Sequence, residues 1–252
     1  MTIGLALSGG GARGVAHLGA IKALEEAGIK IDQISGTSAG AIIGGMYASG
    51  LPVEEILQAF IGIKPFRFLQ PALTVRGFLK IDVLYKYLSQ YITENSFDHL
   101  QIPLAIASTN VRTGETEYFR EGLLIEAMCA SSCIPVLFDP YAFNNELYID
   151  GGILNNLPAE ALKGRCDYII GSHSNVIDDD FQATNFSNVT ERALMLAITR
   201  NVVLSKELCD LIIEPVDLKS YKVMDISKVK DIYGIGYQAA KEQIKSLKTL
   251  IK

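Results

Sequence analysis

Residues 3–49 read IGLALSGGGARGVAHLGAIKALEEAGIKIDQISGTSAGAIIGGMYAS, and this stretch decides the fold class. An apolar run over residues 2–7 stops at a glycine turn, and apolar residues three apart then predict a helix over residues 12–27. A second short segment, residues 29–34, leads into GTSAG and a small-residue helix predicted over residues 41–49. Because strand, turn and helix follow one another twice, the sequence predicts an α/β layered fold with parallel strands.

The rest of the chain continues this alternation without an internal repeat, a low-complexity tract or a linker. A turn at Thr113-Gly114 predicts a hairpin. Further strands are predicted over residues 103–109, 115–119, 146–149, 168–172 and 211–215, and further helices over residues 123–131, 187–210 and 236–250. We therefore expect one domain over residues 1–252.

Residues 51–80 have a different character, because they are apolar yet poorly periodic and are interrupted by Pro65, Pro71 and Gly77. Two interpretations of this region stay open. We favour a set of short helices packed on the core, and the alternative is a mobile cover or lipid-facing surface over the functional site.

Composition excludes some classes of protein. Of the 252 residues, 49% are hydrophobic and 20% are charged, which is typical of a globular protein with a sizeable core. The net charge of -5 argues against a nucleic-acid partner and means that any peripheral membrane contact is made through apolar surface. The sequence has neither a convincing signal peptide nor a run of ~18 apolar residues, so we expect a cytoplasmic location. It gives no oligomeric state.

The pentapeptide Gly36-Thr37-Ser38-Ala39-Gly40 matches the pattern GxSxG. A serine on a tight strand-to-helix turn presents its hydroxyl outward, and only small flanking residues allow that turn. The positive end of the following helix also favours developing negative charge. The motif alone is equally compatible with a glycine-rich turn in any α/β protein.

The first glycine loop, GGGARG over residues 9–14, has two interpretations. It fits the GxGxxG fingerprint of a dinucleotide-binding enzyme, with Asp32 spaced as a ribose-binding acid. It also fits an oxyanion hole, in which the N–H groups of Gly10 and Gly11 stabilise a tetrahedral intermediate. Because the next turn carries GxSxG, the two loops together favour the second interpretation, in which the first loop donates hydrogen bonds to the oxyanion and the second carries the nucleophile.

A serine nucleophile needs a base, and the chain offers His17, His99, His173 and Asp150. Of the histidines, His173 is the best candidate for a Ser-His-Asp triad because it follows a predicted strand. Asp150 also follows a predicted strand and precedes two glycines. A carboxylate accepts a serine proton directly when desolvation raises its pKa towards neutrality. From the residues alone, either His173 or Asp150 is compatible with the role of base. The residues are equally compatible with a DGG segment that is only a turn.

GGGARG, GTSAG and DGG in this order resemble the patatin-like phospholipase family. The similarity extends to STNVRTGETEYF (108–119), ASSCIPVLFDPY (130–141) and DGGILNNLP (150–158), and spans roughly residues 4–240. This resemblance implies a three-layer α/β/α sandwich with a mostly parallel central sheet. It also implies a hydrolase of lipid acyl esters that needs no cofactor and no metal.

The resemblance further assigns roles to individual residues. Ser38 becomes the nucleophile and Asp150 its base, with no catalytic histidine. The oxyanion loop comprises Gly9, Gly10, Gly11 and Arg13, and the remaining motif glycines are Gly14, Gly36, Gly40, Gly151 and Gly152. Two rivals remain, a dinucleotide-dependent enzyme and a non-catalytic lipid-binding protein.

Overall fold

The computed structural model describes residues 1–63, 81–178, 180–223 and 225–250. Within them the strands are β1 (Ile3–Leu7), β2 (Gln33–Thr37), β3 (Leu104–Asn110), β4 (Thr116–Phe119), β5 (Tyr141–Phe143), β6 (Glu146–Asp150), β7 (Tyr168–Ser172) and β8 (Leu211–Ile213). The α-helices are α1 (Ala16–Glu26), α2 (Ala39–Ala48), α3 (Val53–Gly62), α4 (Asp82–Leu88), α5 (Leu124–Ser131), α6 (Phe186–Lys206) and α7 (Val229–Leu250).

All eight described strands form one sheet, which runs β5-β6-β3-β2-β1-β7-β8 with β4 paired to β3. Strands β3, β2, β1, β7 and β8 are parallel, whereas β4, β5 and β6 join in antiparallel fashion. The hairpin predicted at Thr113-Gly114 is β3–β4. The prediction of a mixed α/β fold around a mostly parallel sheet is therefore confirmed.

Hydrophobic cores lie on both faces of the sheet, as the alternation of side chains along β1 shows. Leu5 and Leu7 belong to the larger core, together with the buried face of α1. Ala6 points the other way and packs with Leu157 and Val202, the latter on α6. Because a strand buried on both faces needs a cover on each side, helices enclose the sheet from both sides.

Several element boundaries differ from the sequence prediction. Strand β2 covers Gln33–Thr37 rather than residues 29–34. It continues past residue 34 because Ser35 and Thr37, although polar, are buried and donate to the carbonyls of Pro158 and Asn155. The first predicted helix divides into a 3₁₀ turn, Gly11–Val15, and α1.

Helix α7 begins at Val229, seven residues before its predicted start at Gly236. Gly236, the predicted start, lies instead inside the helix, at a close crossing with α1. A Cβ on Gly236 would collide with the carbonyl of Ala16, and one on Gly19 would collide with that of Tyr233. The absence of side chains at these positions lets α1 and α7 approach each other closely.

Most of the region 51–80 lies outside the described residues, so neither interpretation of it is tested beyond α3. Among the helices that the structure does describe, none is both long and apolar enough to cross a membrane.

Candidate active site

Ser38 lies on the turn between β2 and α2 in a strained conformation. Its backbone has φ 52° and ψ -120°, which is unusual for any residue other than glycine. A Cβ on Gly36 would approach the carbonyl oxygen of Gly40 to 2.5 Å, and one on Gly40 would collide with the carbonyl of Leu7. These two glycines therefore permit the tight turn that presents Ser38 at the N-terminus of α2.

Ser131, at the end of α5, holds this turn in place. Its hydroxyl accepts a hydrogen bond from the backbone N–H of Ser38 at 2.8 Å and donates one to the carbonyl of Ala107 at 2.6 Å. Sequence reasoning gave this residue no role, although it lies in the segment 130–141 that resembles the family. Ser131 thus ties the strained turn to the middle of β3.

Strand β3 brings Ser38 and Asp150 together. Thr37, which precedes Ser38, pairs with Ala107, and Asp150 pairs with Ser108, the next residue along β3. Glycine follows Asp150 for a steric reason, since a Cβ on Gly151 would collide with the carbonyl of Ala107. As a result, the Ser38 and Asp150 side chains line the same cleft, close enough for the hydroxyl to act on the pKa of the carboxylate.

The Asp150 carboxylate is almost fully buried, with 7% of the residue exposed. Burial raises its pKa to about 6, against the opposing effects of hydrogen bonds from Ser38 and from the Gly152 N–H, the latter 2.8 Å from Oδ1. The carboxylate is therefore ionised at neutral pH yet more basic than an ordinary aspartate. This is the combination that a general base requires.

The Ser38–Asp150 pair lies in a cleft of about 420 Å³, which Gly9, Gly10 and Gly11 also line. Its walls are mainly apolar and come from the segment before β5, from the turn after β6 and from α6: Ile134, Pro135, Val136, Leu137, Ile153, Leu194, Met195 and Ile198. An apolar cleft with a few convergent polar groups is typical of a small-molecule or acyl-chain site.

The glycine loop divides into free and engaged N–H groups. The N–H of Gly9 donates to the carbonyl of Asn156 at 3.0 Å, and that of Arg13 donates to the carbonyl of Gly10 at 3.1 Å. No described residue accepts a hydrogen bond from the N–H of Gly10 or Gly11. Of the four predicted loop residues, these two therefore keep a free donor beside the cleft.

The guanidinium of Arg13 is buried and bonded to the backbone of the segments that flank the loop. It donates to the carbonyls of Tyr221 at 2.6 Å, Val176 at 2.9 Å and Lys219 at 3.4 Å. Gly14 lies against α2, since a Cβ there would come within 2.6 Å of the Ala39 Cβ. Arg13 thus bonds the loop to neighbouring backbone segments, and Gly14 packs it against α2.

One family profile, described as patatin-like phospholipase, matches residues 5–163, which is more than half of the chain. The chain belongs to the patatin-like phospholipase family. This match confirms the resemblance found in the three glycine motifs.

Several proteins are similar to this patatin-like chain. An NTE family protein of Mycobacterium tuberculosis, named as uncharacterised, is 34% identical over 168 residues, which cover 64% of this chain and 46% of the relative. Human patatin-like phospholipase domain-containing protein 6 is 28% identical, and the match covers 95% of this chain and 20% of the human protein. Lysophospholipase nte1 of Neosartorya fischeri is also 28% identical, with coverages of 98% and 18%. The chain spans less than half the length of these curated relatives.

Among solved structures, VipD from Legionella pneumophila superposes on the patatin-like chain with a TM-score of 0.65. The two sequences are 17% identical, and the match covers 97% of this chain and 66% of VipD. At that identity the likeness concerns the fold.

None of the described residues that line the cleft of the patatin-like chain is a histidine. His173 is buried, and its Nδ1 lies 2.7 Å from Glu214 Oε1. Burial lowers the pKa of His173 despite the hydrogen bond to Glu214. His17 lies between the Ser172 hydroxyl and the Ser8 carbonyl, both at 2.8 Å.

Asp32 does not lie where a ribose-binding acid belongs. It precedes β2 and accepts a hydrogen bond from the N–H of Ile3, at the amino end of β1, at 2.8 Å. The glycine loop follows the carboxyl end of β1, and the two strands are parallel. The acid and the loop are therefore at opposite ends of the parallel strands, whereas a dinucleotide site needs both at the carboxyl ends.

Two asparagines also line the cleft. Asn156 and Asn175 are 1% and 2% exposed. Among the described atoms, neither Nδ2 of Asn156 nor Oδ1 of Asn175 has a hydrogen-bond partner. Asn156 lies in the extended DGG motif, whereas the only sequence signal for Asn175 is its position just after β7.

Proposed function

We propose that this chain hydrolyses lipid acyl esters, with Ser38 as nucleophile and Asp150 as general base. The observation that carries the proposal is that strand β3 brings the Ser38 hydroxyl and the buried Asp150 carboxylate together in a cleft with apolar walls. The apolar walls suit a fatty acyl chain. The substrate class is therefore a phospholipid, a lysophospholipid or a neutral acyl ester, and the similarity to lysophospholipase nte1 supports it.

In the first half-reaction, Asp150 takes the proton of Ser38 as Oγ attacks the ester carbonyl carbon. The carbonyl oxygen becomes an oxyanion, which the free N–H groups of Gly10 and Gly11 stabilise at the N-terminus of α2. The intermediate then collapses. The bond to the leaving alcohol breaks, Asp150 returns the proton to that alcohol, and Ser38 keeps the acyl group as an ester.

In the second half-reaction, water replaces the alcohol. Asp150 accepts a proton from the water as it attacks the acyl-enzyme, and the same two N–H groups stabilise the second oxyanion. Collapse releases the fatty acid and returns the proton to Ser38. Each step uses Asp150 alternately as base and acid, which suits a carboxyl whose pKa is about 6.

Covalent labelling tests this proposal. A long-chain fluorophosphonate should react once per protein molecule. Ser38 Oγ displaces fluoride from phosphorus, and the alkyl chain of the reagent occupies the apolar cleft. Intact-mass measurement followed by peptide mapping should place the adduct on Ser38. An adduct on another residue, or no adduct at a concentration that labels a known serine esterase, would contradict the assignment of Ser38 as the nucleophile.

Changing His173 to asparagine tests the rival triad. Because His173 lies outside the cleft and contacts Glu214, we expect hydrolysis of a p-nitrophenyl ester per active site to stay within about fivefold of the wild type. The melting temperature should fall, since the buried contact to Glu214 is weakened. A loss of several hundred-fold in kcat at an unchanged number of titrated sites would instead favour a Ser-His-Asp enzyme.

A further inference from the structure

Three side chains surround the carbonyl oxygen of Gly9. The hydroxyl of Ser8 lies 2.9 Å from it, that of Ser174 3.1 Å, and Nδ2 of Asn175 3.0 Å. All three residues are at most 2% exposed. A buried carbonyl is satisfied by one or two donors, so three donors exceed what burial alone requires.

The donors also form a connected unit. The N–H of Ser174 donates to the Ser8 hydroxyl at 3.0 Å, and the N–H of Ser8 donates to the carbonyl of Ser172, at the end of β7, at 3.0 Å. A Cβ on Gly10 would collide with the Ser174 hydroxyl, so that hydroxyl lies directly against the loop. The segment after β7 therefore fixes the position of the Gly9 carbonyl.

Peptide geometry transmits this restraint to the oxyanion hole. A trans peptide is planar, so the carbonyl of Gly9 and the N–H of Gly10 point in opposite directions. A peptide between two glycines has no Cβ on either side to oppose its rotation. Without a restraint on the carbonyl, the Gly10 N–H would be free to turn away from the substrate.

We propose that Ser174 and Asn175 are positioning residues of the oxyanion hole, which hold the Gly9–Gly10 peptide so that the Gly10 N–H faces the substrate. This inference rests on the proposed hydrolase function, because it presumes that Gly10 binds the oxyanion. Neither residue belongs to a glycine motif or to the family match, which ends at residue 163. They act through the loop, and the Ser174 effect is the cleaner one because Asn175 also lines the cleft.

The test compares Ser174→Ala, Asn175→Ala and the double variant with Ser174→Thr, which keeps the hydroxyl. Ser35→Ala is the matched control, because Ser35 is also a buried serine that donates to a carbonyl, that of Pro158. Hydrolysis of a p-nitrophenyl ester is normalised to the sites titrated by a fluorophosphonate. Inhibition by a long-chain trifluoromethyl ketone is measured in parallel, since its adduct with the nucleophile carries an oxyanion.

An oxyanion donor is worth about 10²–10³ in kcat, and partial misalignment should lose part of that factor. We expect kcat to fall about tenfold in each single variant and about a hundredfold in the double variant, with KM within threefold. The inhibition constant of the ketone should rise in proportion to the loss of kcat/KM. Ser174→Thr and Ser35→Ala should resemble the wild type in both measurements.

Several results would overturn the inference. If the variants keep wild-type kcat and ketone inhibition per titrated site, or lose only titrated sites and melting temperature, the two side chains have a structural role alone. If Ser35→Ala loses as much kcat as Ser174→Ala, the effect is not specific to the loop. In all these cases the wild type remains an active, labelled hydrolase, whereas an inert wild type refutes the proposed function and this inference with it.

Discussion

Replacing Ser38 with alanine is expected to reduce kcat for ester hydrolysis by about 10⁴-fold or more, because no nucleophile remains to form the acyl-enzyme. The residual rate over water should come from the donors of the glycine loop and from substrate binding. Fluorophosphonate labelling should disappear as well. Hydrolysis of a p-nitrophenyl ester and intact mass after labelling measure the two effects.

Ser132→Ala is the matched control for that experiment. Ser132 is also nearly buried, at 7% exposed, and among the described atoms its hydroxyl has no partner, so its removal deletes a serine without breaking a hydrogen bond. We expect it to keep kcat within about threefold and to be labelled normally. If Ser38→Ala retained labelling and activity, a different residue would be the nucleophile and the cleft would lose its assigned chemistry.

The fold was predictable because its signals are local. The glycine turn after β1 and the GTSAG turn after β2 each join a strand to a helix, and both lie where the periodicity placed them. The errors in boundaries also have local causes. The sequence pattern ends the second strand segment at residue 34, because it does not show that the hydroxyls of Ser35 and Thr37 are satisfied by the distant carbonyls of Pro158 and Asn155.

The geometry of the candidate site depended on long-range pairing that spacing does not reveal. Ser38 and Asp150 were chosen by residue type and by resemblance, whereas their contact follows from the register of β2 and β6 on β3. Ser131 lies in a segment that resembles the family, but its contact with the Ser38 turn is not visible in the sequence, and Ser174 lies outside every motif. Their roles follow from coordinates alone.

Replacing Asp150 with asparagine should reduce kcat by about 10³-fold or more while the chain remains folded, because the amide cannot accept the Ser38 proton. In the wild type, kcat/KM should rise with pH through a midpoint near the Asp150 pKa of about 6 and then level off, since the base must be ionised. A pH–rate profile of both proteins tests this. A wild-type midpoint near 4 would mean that burial does not tune this carboxyl.

The same variant should change stability in a pH-dependent manner. The folded-state pKa of Asp150 is raised from 3.8 to about 6, so the native state binds this proton more tightly than the unfolded chain does. The native state is therefore stabilised by the protonated form of Asp150. This stabilisation is fully present below pH 3.8 and is lost as the pH rises through 6. At neutral pH the loss lowers the free energy of unfolding by about 3 kcal/mol. Asparagine carries no charge and still accepts from the Gly152 N–H, so it avoids that penalty.

We therefore expect the free energy of unfolding of Asp150→Asn, relative to the wild type, to increase by roughly 2–3 kcal/mol between pH 4 and pH 7.5. Urea denaturation of both proteins across that range measures the difference, and groups common to both cancel. The direction is informative because an ordinary surface aspartate would give no such trend. A difference independent of pH would indicate a solvated carboxylate, and a solvated carboxylate is too weak a base to take the proton of Ser38.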